Sequence, residues 1–332
     1  MKFFDVVTVG NAIVDLFLGI HDANVSCRIN KEACELCVRF GEKIELDRLD
    51  RCVGGNATNA AVGMARLGLQ ASLVAEVGDD EFANLIIKTL TKEVVDTSNI
   101  IRTQGAASSM TVGINFQQER TLFVEHVKRK HDFVFDTIGT KWIYLTSLGN
   151  EWKTAYERVV AYTLKNNIKL AFNPGTIQIE AGYDAIVEVL KQAHILFVNK
   201  EEAAKIAFSG QRLASSYKIA ELLLALQEIG PKIVVITDGK EGSYSVDEQG
   251  NIFFLGLFEA SVVERTGAGD AYASGFLSAI AHAKSVPEAM RCGTANAAGV
   301  ITQIGAQAGL LRQQEMQQIL SQYENIVATT TF

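Results

Sequence analysis

The chain has 332 residues, 48% hydrophobic and 21% charged, which is enough for a large core and excludes collagenous, coiled-coil and wholly disordered proteins. Its 31 Lys and Arg against 38 Asp and Glu leave a net charge of -7, so no surface for coating nucleic acid is expected and any anionic ligand must be held locally. Met1 to Ile20 is apolar, but Asp5 and Asp15 interrupt it and no later stretch reaches the length of a membrane span, so a cytoplasmic protein with no membrane partner is expected.

In chain order, short apolar runs at 4–9, 71–77, 142–145, 168–172, 195–198 and 233–237 alternate with segments of helical period at 57–67, 152–165, 219–228, 270–283 and 287–304. That alternation predicts a mostly parallel sheet joined by crossover helices, with strands buried on both faces. Pro287 suits the first turn of the last helix, and 260–263 reads as one more short strand. Two stretches break the pattern: 13–50, and 108–127, where two strand-like runs flank a polar turn at Gln117, Gln118 and Glu119. They predict a small accessory sheet that either covers an active site or pairs with another subunit, because an uncovered apolar face is a liability. No interdomain linker is evident, so 1–332 reads as one domain.

Five cysteines, an odd number in so long a chain, fit a reducing compartment rather than a disulfide framework. Cys27, Cys34, Cys37 and Cys52 crowd together, but the Cys34 and Cys37 pair has no second pair to complete a zinc site. Buried thiols are expected there, and no metal is assigned.

The sharpest chemical signal is Thr266-Gly267-Ala268-Gly269-Asp270 at the start of an apolar helix. Small residues let backbone come close to a ligand, and the free N–H groups and positive dipole end of a helix start suit a phosphoryl group. Asp270 in that first turn is either a helix-stabilising carboxylate or a general base for a hydroxyl. A second cluster, Gly54-Gly55-Asn56-Ala57-Thr58-Asn59, leads into a helix ending at Arg66-Leu67-Gly68. Gly55 and Asn59 there serve either a tight helix entry or hydrogen bonds to a polyhydroxylated ligand. The dinucleotide fingerprint after the first strand and the lysine-bearing phosphate loop are both absent from the sequence, which weighs against a dinucleotide-dependent oxidoreductase.

Taken with Val9-Gly10-Asn11, Asp15, Val77-Gly78-Asp79-Asp80, Asn199 with Glu202, and Thr237-Asp238-Gly239 with Gly242, these motifs stand in a recognisable order. Over nearly its whole length the chain resembles the PfkB, or ribokinase-like, family of carbohydrate and nucleoside kinases. The resemblance implies an α/β fold: a three-layer α/β/α core with a mostly parallel central sheet and a small β-sheet lid, here 13–50 and 108–127. It implies transfer of the ATP γ-phosphoryl group to a hydroxyl, usually a primary alcohol, with Asp270 as base and Gly267, Ala268 and Gly269 as anion hole. Asn11, Asp15, Gly55 and Asn59 then match the substrate side. Asn199 and Glu202 match the residues that organise Mg2+ and phosphates, Glu202 through water, although the same pair also reads as a helix capping box. Thr237, Gly239 and Gly242 fall where the family binds nucleotide, and Asn296 on the adenine side.

Glu264-Arg265 replaces the family's usual Asp-Thr, which puts a monovalent-cation requirement in doubt, and Asn173-Pro174-Gly175 replaces a frequent Asp-Pro-Asn. Arg66-Leu67-Gly68 and Glu119-Arg120-Thr121 resemble sugar kinases, whereas Gly10 to Asp15 resembles adenosine-kinase-like members, so a free sugar is the expected substrate, with a nucleoside second. The basic run Lys128-Arg129-Lys130-His131 reads as solvated surface or, alternatively, as a contact for a phosphorylated sugar. An inactive sugar-binding or regulatory protein is the reading outside catalysis, although the chain retains Asp270 and both glycines of the turn. The family's cross-subunit lids and the apolar accessory strands suggest a homodimer.

Overall fold

The protein is described from a computed structural model covering residues 2–27, 34–116, 119–125, 127–208 and 217–330. The chain opens with β1 (Lys2–Val9) and passes into β2 (Ile13–Gly19), the hairpin β3 (Asn24–Cys27) and β4 (Cys34–Cys37), and β5 (Arg48–Gly54). Helix α1 (Asn56–Arg66), β6 (Ala71–Val77), α2 (Glu81–Lys92), β7 (Ile100–Arg102), β8 (Met110–Phe116) and β9 (Glu119–Glu125) follow. The middle of the chain is β10 (Ile138–Thr146), α3 (Lys153–Asn166), β11 (Lys169–Asn173), α4 (Thr176–Glu180), α5 (Tyr183–Gln192), β12 (Ala193–Asn199), α6 (Lys200–Ala207) and α7 (Ile219–Ile229). It closes with β13 (Ile233–Thr237), β14 (Ser243–Val246), β15 (Ile252–Leu255), α8 (Ala268–Ala281), α9 (Val286–Val300), α10 (Gln313–Gln322) and β16 (Thr329–Thr330).

Ten of the described strands form one sheet in the order β16-β15-β14-β13-β12-β11-β10-β1-β6-β7. From β13 to β7 every pairing is parallel. Adjacent residues of one strand serve opposite faces, as period-two geometry requires. Val7 packs with Phe172, Val198 and the inner residues of α3, α5 and α7. Its neighbour Val6 packs with Tyr144, Phe197, Phe276 and Met290 on the other side. Two helical layers thus cover one sheet, as the α/β/α expectation requires.

Helices α1 and α8 cross closely because Gly63 has no side chain: a Cβ there would lie 2.3 Å from Ser274 Oγ. That approach brings the first turns of the two helices together, which matters for the site.

A separate four-stranded sheet, in the order β5-β2-β8-β9, is the accessory sheet expected from 13–50 and 108–127, with β5 extending it to Gly54. Gln117 and Gln118 of the expected turn lie outside the described residues. The hairpin of β3 and β4 pairs with neither sheet. Cys34 on it is exposed and disulfide-bonded, its register partner is Cys27, and Cys37 is an exposed free thiol. The expectation of buried free thiols fails here because a two-stranded hairpin of four-residue strands has no second layer to cover them.

Two other expectations are corrected. Residues 260–263 form no strand: Val263 N and Glu264 N both donate to Ile301 O, so this stretch is tied to a turn rather than to a sheet edge. Helix α9 ends at Val300 instead of 304, because 301–305 turns back with Gly305 in the left-handed region at φ 87°.

Candidate active site

The parallel strands point their C-terminal ends at one cavity of about 510 Å³, the usual place for a ligand in an open α/β sheet. Asn11 follows β1, Ser147 follows β10, and Asn173, Asn199 and Thr237 end β11, β12 and β13; all five line the cavity. The lid contributes Ile13, Asp15, Phe17, Thr111, Leu122 and Val124 from β2, β8 and β9, and Gly55 and Asn59 come from the entry and first turns of α1.

The floor is Thr266 to Asp270. Gly267 is the N-cap of α8 with φ 75°, and a Cβ on it would lie 2.4 Å from Ala306 Cβ, so both backbone and packing demand glycine. Nothing lies within 4 Å of where a Gly269 Cβ would be, so this helix start is open on that side, while Ala268 N donates to Arg265 O at 3.3 Å. Asp270, in that first turn, is only 7% exposed. Its Oδ2 accepts a hydrogen bond from Asn59 Nδ2 at 2.9 Å. Burial pushes its carboxyl up to about 7, against the pull of the Asn59 bond, and the nearby Asp15 carboxylate pushes in the same direction as burial. Asp15 is itself 7% exposed, on β2 between Cys52 and Thr111.

Asn59 uses both ends of its amide, since Gln307 Nε2 donates to its Oδ1 at 3.0 Å. Gln307 is in turn held by its own carbonyl, which accepts from Arg66 Nη1 at 2.9 Å. Arg66 also reaches Leu310 O and makes a two-pronged pair with Glu93, whose carboxyl these contacts hold below its ordinary range.

Asn199 and Glu202 form the capping box of α6: Asn199 Oδ1 accepts from Glu202 N at 2.9 Å, and Glu202 Oε2 accepts from Asn199 N at 2.8 Å. Both also line the cavity, so the cap orients the Glu202 carboxyl toward it rather than competing with a role there. Burial raises Glu202. Oxygen donors of this kind fit a hard divalent cation.

Three nucleotide-side expectations are placed differently. Gly239 and Gly242 lie in the turn after β13, where Asp238 N donates to Gly242 O, and neither lines the cavity. Asn296 is fully buried behind α8: its Nδ2 donates to Ala271 O and Ser274 Oγ, and its Oδ1 accepts from Leu311 N. Both N–H groups and the carbonyl of that amide are engaged inside the protein, and the side chain lines no part of the cavity. The basic run divides: Lys128 and Lys130 are exposed, as the solvated reading expects, whereas Arg129 and His131 are buried, and none of the four lines the cavity.

Arg265 and Gln307 were not legible as site residues. Arg265 is the one cationic side chain lining the cavity among the described residues, facing the carboxylates of Asp15, Glu202 and Asp270. It makes no hydrogen bond or ion pair with them or with any other described residue. In the sequence it looked only like a departure from Asp-Thr. Gln307 lies 248 residues from Asn59, a separation at which no spacing pattern operates.

A three-layer α/β core, a small sheet over the C-terminal strand ends and a buried carboxylate at a glycine-rich helix start define a small-molecule kinase site. Residues 20–313 match the pfkB family carbohydrate kinase, and the chain belongs to that family. It is 26% identical to the 5-dehydro-2-deoxygluconokinase of Geobacillus kaustophilus over 302 residues, covering 82% of this chain and 86% of that one. It is 25% identical to the ribokinase of Haemophilus influenzae over 286 residues, covering 84% and 91%. Among solved structures, Thermotoga maritima ribokinase superposes with a TM-score of 0.77 at 20% identity, over 96% of this chain and 99% of that one. Arabidopsis thaliana ribokinase, complexed with ribose and ATP, superposes with a TM-score of 0.75 at 19% identity, over 96% and 99%. The protein is therefore a phosphotransferase with a hydroxyl acceptor, of a family that uses ATP and Mg2+. No helix among the described residues is long and apolar enough to cross a membrane.

Proposed function

We propose that the protein transfers the γ-phosphoryl group of ATP to a primary hydroxyl of a free monosaccharide, with Asp270 as general base. The observation that carries this is the buried Asp270 on the cavity floor, beside the open helix start at Gly267 to Gly269. A carboxyl raised to about 7 is matched to taking a proton from an alcohol as its oxygen attacks phosphorus. The N–H groups of Gly267, Ala268 and Gly269 receive the charge that develops on the transferred group.

Asp15, Asn11 and Gly55 line the lid side and grip the sugar hydroxyls. Asn199 and Glu202 would hold Mg2+, which would supply neutralisation of phosphate charge. Thr237 approaches the nucleotide, and the Arg265 guanidinium pairs with phosphate oxygens. A free sugar is favoured over a sugar phosphate because none of Lys128, Arg129, Lys130 and His131 lines the cavity. The names of the relatives, 5-dehydro-2-deoxygluconokinase and ribokinase, support a sugar ahead of a nucleoside. We infer a cytoplasmic homodimer joined through the apolar lid.

The test is a screen with Mg-ATP against free sugars, sugar phosphates and nucleosides, reading ADP release and product mass. Turnover confined to free sugars supports the proposal. Turnover on nucleosides alone, or ATP binding with no turnover on any class, contradicts it.

A further inference from the structure

We propose that Gln307 is a positioning residue for phosphoryl transfer: its side-chain amide fixes Asn59 with the NH2 end toward Asp270. The inference rests on the kinase reading above, with Asp270 as the base.

An asparagine amide offers a donor at one end and an acceptor at the other, and a half-turn exchanges them. An ionised Asp270 can only accept, so it needs the Asn59 NH2. A protonated Asp270 can donate, and would be satisfied equally well by the Asn59 carbonyl. Because the carboxyl titrates near neutrality, both forms are accessible, and nothing within the Asp270 and Asn59 pair selects between them. Gln307 supplies the selection. Its Nε2 can only donate, and it sits 3.0 Å from Asn59 Oδ1; a turned Asn59 would set NH2 against NH2. With Gln307 so oriented, the Asn59 amide donates to Asp270 Oδ2 at 2.9 Å. Asp270 Oδ1, which makes no hydrogen bond to a described residue, is left for the acceptor hydroxyl.

The Gln307 backbone is anchored from the same helix. Arg66 lies two helical turns along α1 from Asn59, on the same face. It holds the Gln307 and Leu310 carbonyls while Glu93 immobilises its guanidinium. Helix α1 therefore grips the 307–310 turn at two points, and the arginine of the Arg66-Leu67-Gly68 motif acts through Gln307.

Gln307→Met removes the donor, and Gln307→Glu replaces it with an isosteric acceptor that draws the Asn59 NH2 away from Asp270. With the acceptor identified by the screen, the acidic limb of the kcat/KM profile should move up by about one pH unit in Gln307→Met. At pH 7 kcat/KM should fall roughly fivefold, approaching tenfold well below the limb, with KM for ATP unchanged. Gln307→Glu should move the limb further, with rate recovered on raising the pH. A second readout needs no turnover: the pH dependence of the Tm difference between each enzyme and its Asp270→Asn counterpart reports the Asp270 titration, and its midpoint should move up in both variants. Profiles and midpoints that stay at the wild-type position, even with a uniformly lower kcat, overturn the proposal. If Asp270→Asn alone keeps wild-type turnover, the base assignment has failed instead, and the Tm midpoints still decide whether Gln307 orients Asn59.

Discussion

Asn59 Nδ2 lies 2.9 Å from Asp270 Oδ2, joining two residues 211 positions apart at the first turns of α1 and α8. Gly63, having no side chain, lets Ser274 of α8 pack directly on the α1 backbone and so brings these helices close. The two glycine-rich motifs are thus the N-terminal ends of one helix pair, and the carboxylate between them is buried by both.

Burying that carboxylate works against stability. The folded state holds Asp270 near 7 whereas an unfolded chain releases the proton near 3.8, so the ionised form costs folding free energy above that range. Asp270→Asn should raise Tm at pH 8 by more than at pH 5, measured by calorimetry. An equal or negative change at both would contradict the burial argument.

His194 titrates with the opposite consequence. Burial brings it from 6.5 down to about 4, with Lys169 adding to the effect and Glu248 opposing it. The unfolded chain takes up its proton below about 6.5, so stability falls from there to about pH 4. His131, lowered chiefly by burial, has the same sign. Asp270, which gains its proton over much of this window, offsets the loss. Acidification from pH 7 to 4 should therefore destabilise Asp270→Asn more steeply than wild type, and His194→Gln should flatten the fall. Parallel curves for wild type and Asp270→Asn would refute this balance.

Arg265 stands beside the helix start with no protein partner among the described residues, facing a cavity lined by carboxylates. Arg265→Ala should raise KM for ATP about tenfold and leave KM for the acceptor unchanged, since a guanidinium pairs with phosphate. An unchanged KM for ATP would remove it from the nucleotide site.

Glu264 accepts from Gly305 N at 2.9 Å and from the Thr266 hydroxyl, so its two oxygens tie the turn before α8 to the 301–305 turn. With this carboxylate committed to protein, rates at fixed Mg2+ should match in potassium and sodium chloride. A large selective activation by potassium would contradict that expectation.

The lid leaves Leu49 and Phe123, which do not line the cavity, 60% and 57% exposed, apolar surface that a partner would cover. Light scattering should give twice the chain mass, and Phe123→Asp should reduce it. A monomeric wild type would rule the dimer out.

The sheet was legible because strands buried on both faces leave uninterrupted apolar runs: β6 and β13 fall at 71–77 and 233–237 as expected. Residues 260–263 carry the same β-branched signal yet pair with no strand, since composition does not say whether a sheet edge is available. Helix starts were legible from Gly267 and Asp270, whose local chemistry is contained in five residues. What escaped were contacts made by distant chain. Asn59 lines the cavity as expected of a sugar-side residue, but its bonds to Gln307 and Asp270 cross more than 200 residues, and Asn296 reads as a nucleotide contact until its amide is found engaged with α8 and Leu311.

The most direct test is single-turnover transfer of labelled phosphate from ATP to the acceptor by wild type and Asp270→Asn at matched folding. A loss of roughly a thousandfold with ATP affinity retained is the expected result. Transfer at near the wild-type rate would show that Asp270 is not the base.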